Sequence, residues 1–156
     1  MAVILCDLDD FKAINDSLGH ELGDKLLEHV ACTLKANVTQ EDTAARLGGD
    51  EFVLLISGNK NEKCIAEIAT GILQGLTEPT YLSNNKVSIS SSVGIAMYPQ
   101  DGNTASELMR NADLAMYHAK NDGKNRFQFF QEQMNESAKS RLLLESKLRK
   151  ATEKEL

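Results

Sequence analysis

No stretch of the chain stays apolar for long. The longest such run, Met1 to Cys6, falls far short of the roughly 20 residues that cross a bilayer, so no membrane span lies within these 156 residues. That run has no basic leader and no small-residue cleavage site, and it reads as a core strand rather than a signal peptide. Cysteine is sparse: Cys6, Cys32 and Cys64 lie far apart without CxxC pairing, which speaks against a disulfide framework or a zinc site and favours a reducing compartment. Basic charge is short as well. Seventeen Lys and Arg against 23 Asp and Glu leave a formal charge of −6, the wrong sign for the basic face that a nucleic-acid polymer requires. A small phosphorylated ligand carried by a metal stays open. There is no internal repeat and no low-complexity tract, and 42% hydrophobic with 26% charged residues describes one globular domain with an ordinary core.

What is present alternates between two periods. Ala2 to Leu8 is an apolar strand; Phe11 to Leu18 is a short helix with Asp9 or Asp10 available as its N-cap; Lys25 to Ala36 is a longer amphipathic helix. Thr43 to Leu47 and Phe52 to Ser57 form a hairpin, and Asn61 to Leu76 is a helix with Ile65, Ile68, Ile72 and Leu73 on one face. Lys86 to Met97, rich in Val, Ile and Ser, is a half-buried strand. Thr104 to Lys120 is a helix stopped at Asp122-Gly123, Arg126 to Phe130 is a last short strand, and a polar helix with one apolar seam runs from Glu132 to the end. This order predicts an α+β fold, ferredoxin-like or palm-like: an antiparallel sheet with helices packed mainly on one face.

The hairpin turn is chemically odd. Gly48 and Gly49 expose the backbone, and Asp50 and Glu51 follow at once. A second acidic cluster, CDLDDFK, ends the first strand, and pairing of that strand beside the hairpin would bring Asp7 towards Asp50 and Glu51. Carboxylates so gathered repel one another unless a cation sits among them, and hard oxygen ligands suit Mg²⁺ or Mn²⁺ together with substrate phosphates. Without a Cβ at Gly48 or Gly49, a phosphate or ribose can approach the turn closely. Taken from the residues alone, an ordinary turn and ordinary helix caps account for the same letters.

The segment RLGGDEF, Arg46 to Phe52, resembles the signature of the GGDEF family, the diguanylate cyclases. DLDDFKAINDSLGHELGDKLL from Asp7, SSVGIAMYPQDG from Ser91 and NADLAMYHAKNDGKNRFQFF from Asn111 resemble that family's other motifs, in order and at similar spacing. The resemblance implies a palm-like fold of the nucleotide cyclase type that condenses two GTP into cyclic di-GMP with release of two pyrophosphates. It implies that Asp7, the main-chain carbonyl of Leu8, Asp50 and Glu51 hold two Mg²⁺ (or Mn²⁺) per active site, with Asp50 and Glu51 as catalytic acids. Asp50 is the candidate acceptor of the 3′-hydroxyl proton, a water being the alternative. It implies that Asn15, Asp24 and His20 line a guanine pocket, an amide and a carboxylate suiting the donors and acceptor of the base edge. Asn15 closing one helix and Asp24 capping the next is the structural alternative. Lys12, Lys120, Lys124 and Phe11 match positions at the triphosphate, although Lys120 and Lys124 also suit a solvated helix end.

Catalysis in this reading needs a homodimer, because each site holds one GTP and two bonds must form. The family's inhibitory product site carries an RxxD motif; here the matching stretch is TQED, with Thr39 in place of arginine, so product inhibition through that site is not expected although Asp42 is retained. The family's N-terminal helix, with its DxLTGLxNR-type segment, has no counterpart in these residues, and its loss is expected to lower activity. Residues 1–131 are read as the GGDEF domain. Residues 132–156 resemble the connector that leads into an EAL phosphodiesterase domain, so the resemblance implies a tandem protein with a sensor module N-terminal. A bacterial cytoplasmic setting is implied, including that of the cytoplasmic part of a membrane-anchored sensor protein. The alternative within the resemblance is a non-catalytic GTP-binding domain that regulates an adjacent EAL domain.

Overall fold

Two strands buried along their whole length organise the molecule. The computed structural model describes residues 1–154, and in it β1 (Ala2–Leu8) and β6 (Ser91–Met97) are buried at every position. The sheet runs β2 (Thr43–Gly48), β3 (Glu51–Ile56), β1, β6, β7 (Arg126–Phe129), so β1 is central. Its first four strands pair antiparallel; β7 joins β6 in parallel. The fold is α+β, a five-stranded sheet flanked by helices.

The helices cover both faces rather than mainly one. On one side α1 (Phe11–Leu18), α2 (His20–Ala36) and α3 (Glu62–Thr77) pack Phe11, Leu26 and Ile72 against Ile4, Cys6 and Leu54. On the other, α4 (Ala105–Asn121) packs Leu108, Ala112 and Met116 on Val3, Leu5 and Ala96. A run as uniformly apolar as AVILC has no solvent face, and that uniformity is the mark of a strand covered twice. Final α5 (Glu132–Lys154) docks at its start, where Met134 is buried with Ala115 and Phe130.

Three boundaries differ from the sequence reading. Helix α2 begins at His20, directly after Gly19 in a left-handed conformation (φ 89°), which puts Asp24 inside the helix rather than at its cap. The strand expected over Lys86–Met97 is two strands: β5 (Asn85–Val87) pairs with a short β4 (Thr80–Leu82), and β6 starts only at Ser91. Ile89 turns inward between them, its amide donating to the Leu76 carbonyl at 3.2 Å. Asp10 occupies the N-cap position of α1 in a left-handed conformation (φ 57°) and makes no side-chain cap bond. No described helix is long and apolar enough to cross a membrane.

Candidate active site

Strand register decides which acids meet. In the β1–β3 pair Asp7 stands directly opposite Glu51, and the Leu8 amide donates to the Asp50 carbonyl at 3.2 Å. Directly opposed residues on neighbouring antiparallel strands share a face, so Asp7 and Glu51 lie on the side covered by α4. Leu8 alternates to the opposite face and is 1% exposed in the core, leaving only its main chain to the site. Glu51 is exposed and Asp50 half-buried.

The turn between β2 and β3 is held open by its glycines. Gly48 (φ 149°) and Gly49 (φ 53°) adopt angles that L side chains avoid, and nothing lies within 4 Å of where either Cβ would stand. Arg46 braces the turn from within, its Nε donating to the Gly49 carbonyl at 2.9 Å.

Asp7 is the electrostatic centre. Its residue is 8% exposed, and burial raises its carboxyl above the ordinary carboxylate range, helped by the nearby charges of Asp50 and Asp9 and opposed by Lys120. Lys120 Nζ sits 3.0 Å from Asp7 Oδ2. One turn on, Lys124 Nζ meets Asp10 Oδ1 at 2.9 Å, and that contact raises the lysine's pKa. Cys6 beside Asp7 plays no such part: its thiol is wholly buried against Ser91 Oγ, 2.8 Å away, and burial pushes it up to about 12.

The other candidate positions flank α1 and α2. Asn15 is half-buried, and its Oδ1 is enclosed without a hydrogen-bond partner. It lies against Gly23 of α2, where any Cβ would collide with it. Asp24 is exposed at the rim of a cleft of about 490 Å³ between α2 and β2, floored by Leu27, Leu34 and Phe52, with Arg46 on the facing side. His20 and Lys12 are exposed. The Phe11 ring is buried in the core, so any contact of this residue with phosphate falls to its main chain.

Thr39 and Asp42 form a closed unit. Asp42 accepts from the Thr39 amide (2.9 Å), Thr39 Oγ1 (2.8 Å), the Ser57 amide (2.8 Å) and Lys60 Nζ (3.2 Å), with its side chain fully enclosed. Burial raises that carboxyl, but those four donors outweigh it and hold it at about 2.

Asp9 was missed as anything but a cap. Its carboxylate is buried among Ser90, Ser92 and Asn125, residues that carry no local pattern and converge only through the sheet. The available signal was its spacing: Asp7 and Asp9 are two apart at a strand end and share a face.

The donor set fits a hard divalent cation. Asp7 and Glu51 oppose one another, Asp50 lies near enough to raise Asp7, and Lys120 supplies the balancing charge. Among the described residues, no three His, Cys, Asp or Glu side chains form a ready-made ligand group.

A family model described as "Diguanylate cyclase, GGDEF domain" matches residues 1–126. The bifunctional diguanylate cyclase/cyclic di-GMP phosphodiesterase MucR of Pseudomonas aeruginosa is 50% identical over 153 residues, covering 98% of this chain and 22% of MucR. The cyclic di-GMP phosphodiesterase NbdA of the same species is 38% identical over 151 residues, covering 97% of this chain and 19% of NbdA. The chain thus spans about a fifth of the length of these relatives. The isolated GGDEF domain of TpbB (YfiN), also from Pseudomonas aeruginosa, superposes with a TM-score of 0.86 at 35% identity, covering 88% of this chain and 81% of that one.

Proposed function

Because the chain belongs to the GGDEF family of diguanylate cyclase domains, we propose that it condenses two GTP into cyclic di-GMP, each 3′-hydroxyl attacking the other nucleotide's α-phosphate with loss of pyrophosphate. The carrying observation is the register that sets Asp7 opposite Glu51 and bonds Leu8 to Asp50, which puts the strand-end acids beside the open diglycine turn.

In this reading Asp7, Asp50, Glu51 and the Leu8 carbonyl hold two Mg²⁺, or Mn²⁺. When bound, such ions neutralise the triphosphate, polarise the α-phosphate and lower the pKa of the attacking hydroxyl. The chain's own groups do the rest. Lys120 and Lys124, now paired with Asp7 and Asp10, are the point cations for the phosphates, with Lys12 and the Phe11 main chain beside them. Asn15 is lodged against Gly23 with its Oδ1 enclosed, its side-chain amide meets the guanine edge when it turns outward, and Asp24 and His20 complete the base pocket. The open turn at Gly48-Gly49 admits the ribose and phosphates, and Asp50 or a water receives the hydroxyl proton.

Each site holds one nucleotide, so turnover requires a homodimer. Thr39 and Asp42 spend their polar groups on one another and on Ser57 and Lys60, which supports the reading that this stretch, lacking the arginine, takes no inhibitory product. Residues 132–156 are the connector to an EAL domain, with a sensor module on the N-terminal side and a cytoplasmic setting for the whole.

The second reading is a GTP-binding domain without turnover that regulates an adjacent phosphodiesterase; a relative named as a phosphodiesterase, NbdA, favours it. Purified protein incubated with GTP and Mg²⁺, its products separated by chromatography beside an Asp50→Asn variant, decides between them. Cyclic di-GMP from the parent alone supports the cyclase. Magnesium-dependent GTP binding without product supports the regulator.

A further inference from the structure

One buried carboxylate near the site has no role in the scheme above. Asp9 directly follows β1 and is 6% exposed. Its Oδ1 accepts from Ser92 Oγ at 2.7 Å; its Oδ2 accepts from Ser90 Oγ at 2.6 Å and from the Asn125 amide at 3.1 Å. Its own amide donates to the Ser90 carbonyl at 2.9 Å. A single side chain therefore joins three segments distant in sequence: the β1–α1 turn, the entry to β6, and the loop between α4 and β7.

Both loops it joins hold unusual backbone. Asp10 (φ 57°), Lys124 (φ 61°) and Asn125 (φ 46°) are non-glycine residues in the left-handed region, a conformation that persists only where the surrounding structure holds it. The fixing contacts are visible at the second loop. The Lys124 amide bonds the Ala119 carbonyl at 3.1 Å, Arg126 Nε bonds the Lys124 carbonyl at 3.2 Å, and Asp9 takes the Asn125 amide. Two contacts reach outside the loop and its adjoining elements: Asp9 takes the Asn125 amide from within, and the exposed Asp10 meets the Lys124 ammonium at 2.9 Å.

We propose that Asp9 is a positioning residue for the phosphate end of the nucleotide site: its carboxylate clamps the loop that carries Lys124 onto the strand end that carries Asp7. The proposal rests on the nucleotide-site reading given above. All three partners donate to the carboxylate as it stands, the Asn125 amide and Ser90 to one oxygen and Ser92 to the other. An asparagine can keep the Asn125 contact by turning its NH₂ towards Ser92, whose hydroxyl reverses to accept, whereas an alanine removes every contact.

The test is Asp9→Ala, with calorimetric affinities for GTP and for guanosine in Mg²⁺, a thermal melt, and hydrogen exchange at the Asn125 amide. In the folded variant GTP is expected to bind about tenfold more weakly, guanosine to bind as before, and the Asn125 amide to exchange faster. Asp9→Asn and a Ser90→Ala/Ser92→Ala variant, which both keep the Asn125 contact, should lose less GTP affinity than Asp9→Ala. A folded Asp9→Ala protein with an unchanged GTP-to-guanosine ratio overturns the proposal. Should that variant not fold, the unmodified chain decides: exchange at Asn125 about tenfold slower than at Gly123 supports the clamp, and equal exchange contradicts it. If the unmodified chain binds no GTP at all, the nucleotide reading fails, and the same exchange comparison still judges the clamp by itself.

Discussion

Asp7 and Asp9 are buried, Asp42 keeps its side chain enclosed, and the partners of the three separate their tasks. Asp42 spends its oxygens on four nearby donors and sits at about 2, below the ordinary 3.8. A depressed pKa stabilises the fold above the unfolded value, and that stabilisation fades as pH falls from about 4 to 2. Asp42→Ala should therefore cost about 2 kcal/mol near neutral pH, with the gap to the parent closing in acid; urea titrations across that range measure it. Asp7 is raised by burial even though Lys120 pairs with it at 3.0 Å, so a single cation offsets only part of what burial costs it. Gly23 allows a cleaner test of the base pocket. Alanine is the better helix former, so Gly23→Ala should leave stability within about 1 kcal/mol of the parent. Its Cβ displaces the Asn15 amide, so affinity for GTP should fall by about tenfold in the same titration. Unchanged affinity would remove Asn15 from the pocket. Asp50 and Glu51 stood out in the sequence as acids beside glycines, and Asp7 as one of an acidic cluster at the end of a strand. The partners of Asp9 and Asp42 did not, because their donors are serine and threonine hydroxyls and backbone amides brought together only by folding.

Elements with a strong period were legible before any coordinates. The apolar run of β1, the shared apolar face of α3 and the helix opening near Thr104 read directly from residue order, and the structure adds a capping box between Thr104 and Glu107 ahead of α4. The β4–β5 hairpin was not: its strands are three residues long, and its turn is Ser83-Asn84, both left-handed, without the usual glycine. Helix α5 divides in two. Its first turn buries Met134 against Ala115 and Phe130, and Arg141 lies over the Tyr117 ring at 4.9 Å, whereas Leu142, Leu143, Leu144 and Leu148 are all more than half exposed. Deleting residues 142–156 should thus leave the stability of the remainder within about 0.5 kcal/mol, while deleting 132–156 should cost about 2 kcal/mol for the lost methionine contact. Equal urea midpoints for the two truncations would show that α5 contributes nothing to the core.

At the scale of the molecule, the sheet order brings together what the chain keeps apart. Central β1 receives the turn acids from β3 on one side and Ser90 and Ser92 from the approach to β6 on the other, while α4 delivers Lys120 to Asp7 across the same face. The family resemblance named Asp7, Asp50, Glu51 and Lys120 as one site in advance, but not Ser90 or Ser92; composition alone argued only against a polymer-binding face and against a membrane-spanning segment within these residues. In the proposed reaction the two bonds of the cyclic product require two such sites, so the initial rate of product formation should rise with the square of protein concentration at low concentration and become linear as dimers saturate. A linear rate throughout would remove the need for association over that range. The central claim, that the acids of β1 and of the diglycine turn jointly take a magnesium-bound guanosine triphosphate, is tested most directly by calorimetric GTP titration of the parent, Asp7→Asn and Asp50→Asn proteins, with Mg²⁺ and with chelator. The account predicts uptake by the parent only when Mg²⁺ is present, with either substitution weakening it by roughly a hundredfold. Equal uptake with and without the metal, or by all three proteins, would contradict it.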